Sequence, residues 1–131
     1  MKLLRTALLA LVVFTMAACD EEKLSPTEVQ NKMIDGDWEI YSWVINGTEL
    51  VVSGVTIDMV FDQTSVEGGD MSWSINDNGY VDVSAATYII YNEGDGIDVN
   101  GNPMSLTLTE SSLEMSGLLN GNQVRIRGDR D

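Results

Sequence analysis

Hydrophobic positions follow three different rules along this chain. From Ala7 to Ala18 they are continuous, from Val29 to Ile34 they recur at helical spacing, and from Trp38 to Ile126 they alternate. The helical stretch has its own start signal, Ser25-Pro26-Thr27-Glu28. Ser25 fits the N-cap, Pro26 the first helical position where its missing N–H costs nothing, and Glu28 the far corner of a capping box. A helix to about Ile34 is predicted, with Val29 and Met33 at i and i+4 and Ile34 beside them as its apolar stripe. Gly36 after Asp35 ends it.

Beyond Gly36 the period becomes two, the period of a strand with one dry face. Trp38, Ile40 and the apolar residues to Ile45 predict a first strand, and Asn46-Gly47 a tight turn, since both residues tolerate positive φ. Asn46-Gly47-Thr48 also spells a glycosylation sequon, but the turn reading is preferred. Leu50 to Ser53 predicts a short strand, and Ile57, Met59 and Phe61 alternate with Thr56, Asp58 and Asp62 in another. Met71, Trp73 and Ile75 lead through Asp77-Asn78-Gly79 to Tyr80–Ser84, and Thr87 to Asn92 follows as a separate strand. The acidic loop from Glu93 to Gly96 precedes Ile97 to Asn100, and Gly101-Asn102-Pro103 turns the chain towards Met104, Leu106 and Leu108. Ser112 to Gly117 and Gln123 to Arg127 complete eight or nine short strands, a meander that closes into a barrel or stacks as a sandwich.

The apolar run follows Lys2 and Arg5, and its dozen or so residues are about the length of a signal-peptide core and too few to cross a bilayer as a helix. It ends in Met16-Ala17-Ala18-Cys19, which resembles the bacterial lipobox, whose cysteine becomes the lipidated N-terminus. Cys19 has no second cysteine to pair with. The expected organisation is a signal peptide at 1–18, a lipidated tether at 19–24 and one domain at 25–131. The expected address is the outer membrane, held by lipid. Asp20-Glu21-Glu22 is similar to the surface-export signal of Bacteroidota-type lipoproteins, so both the cell surface and the periplasmic face stay open.

Charge narrows the function. The chain carries −14 overall, and the part after Ala18 holds five basic against twenty-one acidic side chains, a net of −16. Between Met33 and Val124 there is no Lys or Arg against fifteen Asp and Glu, which excludes a nucleic-acid surface. Histidine is absent, so Ser-His-Asp and Cys-His catalysis and His-containing zinc sites are excluded as well. No carboxylate pair is marked out for glycoside hydrolysis, and the expectation is a protein that is not an enzyme and uses no cofactor or metal. Asp95, Asp98, Asn100 and Asn102 offer oxygens at near-alternate positions, but Pro103 stands where an EF-hand needs glycine and the twelfth-position Glu is missing. Arg127-Gly128-Asp129 spells an integrin tripeptide, read here as coincidence.

A short helix, then Gly36-Asp37-Trp38 opening the first strand, then only hairpin-connected strands, resembles the lipocalins. The layout is closer still to the small lipocalin-like lipoproteins of Bacteroidota, through Asn46-Gly47, Met59-Val60-Phe61, Thr87-Tyr88-Ile89-Ile90, Leu106-Thr107-Leu108 and Leu113-Glu114-Met115. The resemblance covers about residues 33–128. It implies an all-β, up-and-down antiparallel barrel of about eight strands behind a short helix. It also implies an Arg from the last strand over the first Trp, a place that Arg125 or Arg127 would take although both alternate out of phase with Val124 and Ile126.

The predicted interior collects Trp38, Ile40, Ile57, Met59, Phe61, Met71, Trp73, Ile75, Ile90, Leu106, Leu108 and Met115. Two functions follow, depending on whether that interior is hollow. A hollow barrel would bind a small hydrophobic ligand against Trp38, Met59, Phe61, Met71 and Trp73, as the resemblance implies. A filled one would serve as an interaction lipoprotein, docking a glycan or another envelope protein through loops such as Glu93 to Asn102. Eight strands enclose just enough space for either.

Overall fold

The computed structural model describes residues 24–131, so the expected signal peptide, Cys19 and most of the expected tether lie outside the described residues. One helix, α1 (Pro26–Ile34), precedes nine strands: β1 (Gly36–Ile45), β2 (Thr48–Glu49), β3 (Val55–Gln63), β4 (Gly68–Asp77), β5 (Tyr80–Tyr91), β6 (Gly96–Val99), β7 (Asn102–Leu108), β8 (Ser112–Leu119) and β9 (Asn122–Arg130). Every pairing is antiparallel, and β1 meets β9 as well as β3. The sheet therefore closes into an eight-stranded up-and-down barrel, with the two-residue β2 as an appendage on the far half of β1.

Turn chemistry sets this order. Asn46-Gly47, Asn78-Gly79, Asn100-Gly101 and Asn120-Gly121 all take positive φ at both residues, the conformation whose twist matches a right-handed hairpin. All four lie at one end of the barrel. The opposite end carries α1, whose N-cap Ser25 Oγ accepts the Glu28 N–H at 3.2 Å.

Several sequence expectations need correction. The buried face of α1 is Asn31 and Ile34, whereas Val29 is exposed, because the helix lies across a barrel mouth and meets loop carbonyls there as well as apolar side chains. Residues 50–53 are not a strand: β2 is Thr48–Glu49, and Leu50 and Val51 fold inward against the core. Tyr80–Ser84 and Thr87–Asn92 are one strand, since the β4–β5 register runs unbroken from Asp77↔Tyr80 to Gly68↔Ile89. The β6–β7 turn is Asn100-Gly101, one residue earlier than expected, and β7 begins at Asn102.

The core fills the barrel. Trp38, Ile40, Ile57, Met59, Phe61, Met71, Ile90, Leu106 and Met115 are buried as expected, whereas Trp73, Ile75 and Leu108 are only partly so. Ile34, Trp43, Tyr88, Ile97, Val99, Met104, Leu113, Val124 and Ile126 join them. Trp43 enters because Tyr41 is an extra residue in β1: the partners shift from Ile40↔Gly128 to Ser42↔Arg127, and the inward positions change from even to odd. Glu49 holds that bulge, accepting from Ser42 Oγ at 2.6 Å and Trp43 N at 2.8 Å. The bond from Ser42 keeps the Glu49 carboxyl below the usual range against the opposing effect of burial, with backbone N–H groups adding to it.

Candidate functional site

The five interior residues named from the sequence form one continuous patch. Trp38, Met59 and Trp73 are register partners across β1, β3 and β4, and Phe61 and Met71 make the next row. Four of them are sealed: Trp38 and Met59 expose 0%, Phe61 1% and Met71 3%. A ligand-sized void would leave accessible surface on its walls, so these side chains touch one another. Phe61 meets Tyr88 edge-on at 5.2 Å between ring centroids, and Trp73, half-buried nearer the hairpin-turn end, tilts against Trp43 at 5.8 Å.

The helix end is closed by polar bonds over that core. Trp38 Nε1 donates to Ile34 O at 2.8 Å, and the Arg130 guanidinium stacks 4.1 Å above the Trp38 ring. Arg130 also donates to the carbonyls of Met33, Asp35 and Glu110, two of them at the helix C-terminus. The arginine over the first Trp is therefore Arg130, and neither Arg125 nor Arg127. Arg125 pairs outside with Glu114 at 2.5 Å, and Arg127 lies over Tyr41, both outward as their phase requires. Beside this lock, buried Asn31 Nδ2 donates to Ser65 O at 2.9 Å and Val66 O at 3.0 Å, and Tyr88 Oη donates to Asn31 Oδ1 at 2.8 Å. Burial, and then the Asp35, Asp62 and Asp70 carboxylates, push the Tyr88 hydroxyl well above its ordinary range.

In the segment from Glu93 to Asn102, the side chains of Asp98, Asn100 and Asn102 bond backbone groups of the segment or of β5 beside it. Asp98 Oδ1 accepts from Gly101 N at 2.7 Å, Asn100 Oδ1 from Thr87 N at 2.9 Å, and Asn102 Nδ2 donates to Val99 O at 2.9 Å. Among the described residues no cluster of three acidic or other ligating side chains is arranged to hold a metal ion.

A concavity lies outside the barrel. A groove of about 650 Å³ crosses the outer face of β3, β4 and β5, with Val60, Ser72 and Ala85 along one register row and Asp62, Asp70 and Thr87 along the next. Asn100 stands at its β6 side. Its floor is low because Ser72 and Ala85 are small. Asp62 and Asp70 face each other directly across the strands, a like-charge pair that a cation would relieve.

No protein-family model and no curated protein sequence matches the chain. A solved structure does. It is a redesigned beta barrel, 14% identical, that matches 78% of this chain and 95% of its own with a TM-score of 0.58. At that identity the likeness extends to the fold alone, a barrel of similar build.

Sequence reasoning missed Arg130, Tyr88 and Asn31, which close the helix end together. Tyr88 was legible, since it alternates in phase with Ile90. Arg130 was not: nothing local in the sequence marks it, and only closure of β9 on β1 through Trp38↔Arg130 brings it over the ring.

Proposed function

We propose that this chain is a non-enzymatic, lipocalin-like lipoprotein of the Bacteroidota type, tethered to the outer membrane through lipidated Cys19, whose filled barrel is a scaffold for docking another envelope protein. The observation that carries this reading is the sealed interior, with Trp38, Met59, Phe61 and Met71 at 0–3% exposure. Support for a protein partner comes from the exposed apolar side chains of Tyr80, Val81, Val83 and Ile89 on one strand, beside a surface without basic residues from Met33 to Val124. The ligand-binding reading places a small apolar molecule on Trp38, Met59, Phe61, Met71 and Trp73. It requires those side chains to move apart, at the cost of core contacts, before a guest can enter.

Native mass spectrometry of protein taken from its own envelope, with tryptophan fluorescence under titration of fatty acids, sterols and quinones, separates the two. The expected result is a bare protein mass and unchanged emission from Trp38, Trp43 and Trp73. A stoichiometric small molecule, or saturable quenching, would establish the ligand reading in its place.

A further inference from the structure

The barrel has an open seam. β5 runs from Tyr80 to Tyr91, but β6 pairs only with its last part, from Tyr88↔Val99 to Tyr91↔Gly96, and the Asn100 turn reaches one residue further, to Thr87. Residues 80–86 are paired with β4 on one side, and among the described residues nothing bonds their other side. Parity identifies the unused groups. The Thr87 N–H and C=O point to the β6 side while the Ile90 N–H points to the β4 side, and the register has no shift between them and Tyr80. The backbone groups of Val81, Val83 and Ala85 therefore face outwards along a free strand edge. Val81 is 62% exposed and Val83 65%.

Free edges are normally guarded by lysine, proline or a bulge, and this one has none of them. Its charged residue is Asp82, and the outer groove with Asp70 begins beside Ala85. A second copy of this chain would bring the same aspartate to the edge and a domain as strongly acidic, net −16 after Ala18, which opposes self-pairing. A cationic strand meets complementary charge instead. A strand added beyond β5 lies about 5 Å from it and about 10 Å from β4, within reach of a lysine or arginine extended over small Ala85 towards Asp70.

We propose that the Tyr80–Ala86 edge of β5 binds an extended, basic peptide segment of a partner protein by strand addition, with backbone bonds to Val81, Val83 and Ala85 and its cations beside Asp70 or Asp82. This rests on the docking reading above and specifies where the partner binds. In an alternating Lys-Val sequence either register places lysines beside one of those two carboxylates.

The test uses the folded protein and a blocked seven-residue peptide of alternating Lys and Val, followed by amide hydrogen exchange. The peptide should slow exchange at Val81, Val83 and Ala85 by about tenfold or more, and binding should weaken as salt rises. The peptide with Glu in place of Lys, and the Lys peptide N-methylated at alternate amides, should give no protection. Val83→Pro removes a donor that β4 does not use, so it should keep the fold and lose the peptide. The methylated peptide asks the same question without altering the protein. Binding without protection of those three amides, equal binding of the methylated peptide, or protection that appears without peptide as the protein dimerises would overturn the proposal. Partner crosslinks confined to the Glu93 to Asn102 loop would also overturn it while leaving the docking reading intact.

Discussion

At residue scale, Asn31 shows how a polar side chain comes to stand in a buried helix position. Its amide supplies two donors to loop carbonyls and one acceptor to the Tyr88 hydroxyl, so the helix is fastened to the barrel mouth by directional bonds. Truncating one partner leaves the other buried and unsatisfied. Tyr88→Phe should therefore lower unfolding stability by about 1–3 kcal/mol in urea titration near neutral pH. The phenol also sets an alkaline limit. Its folded pKa lies above the unfolded value, so the stabilisation is complete below the unfolded pKa near 10 and declines as pH rises towards the folded value. Titrations at pH 8 to 11 should show that decline in the parent protein, and Tyr88→Phe should lose this contribution to it.

At the scale of elements, β1 and β9 decide the closure. β1 changes its inward parity at Tyr41, which lets Trp38 close the helix end and Trp43 fill the opposite half. β9 returns Arg130 to the same ring, where its planar guanidinium both stacks on Trp38 and binds the helix C-terminal carbonyls. Arg130→Ala should cost about 1–3 kcal/mol and loosen α1 first, seen as faster amide exchange in Pro26–Ile34 than in the strands. Arg130→Lys should recover little of this, because an ammonium cannot stack flat while binding several carbonyls. If α1 exchange is unchanged in both variants, Arg130 does not hold the helix.

For the whole molecule, the proposed address and the fold rest on separate parts of the sequence. The proposed anchor is testable without the barrel: Cys19→Ala should release the protein from membranes or leave it uncleaved, read by fractionation and intact mass. A variant that is still cleaved and still membrane-bound would exclude lipid at Cys19. The barrel itself was largely legible, because period-two alternation and Asn-Gly turns are local properties that four hairpins obey. The named interior patch was legible for the same reason, since alternation assigns a side chain to a face. What alternation cannot give is the volume between faces. Whether Trp38, Met59, Phe61 and Met71 line a void or fill it depends on side chains distant in sequence, such as Tyr88, whose ring meets Phe61 edge-on. The free edge of β5 was equally hidden, because it arises from a mismatch in strand length, twelve residues in β5 against four in β6. The sequence by itself thus determined most of the strands, the Asn-Gly turns and the inward face of each regular strand, because these follow from local backbone preference, whereas the bulge at Tyr41 that turns Trp43 inwards does not. Closure through Arg130, the filled interior and the open seam were decided only by tertiary structure, because each depends on contacts between strands far apart in the chain.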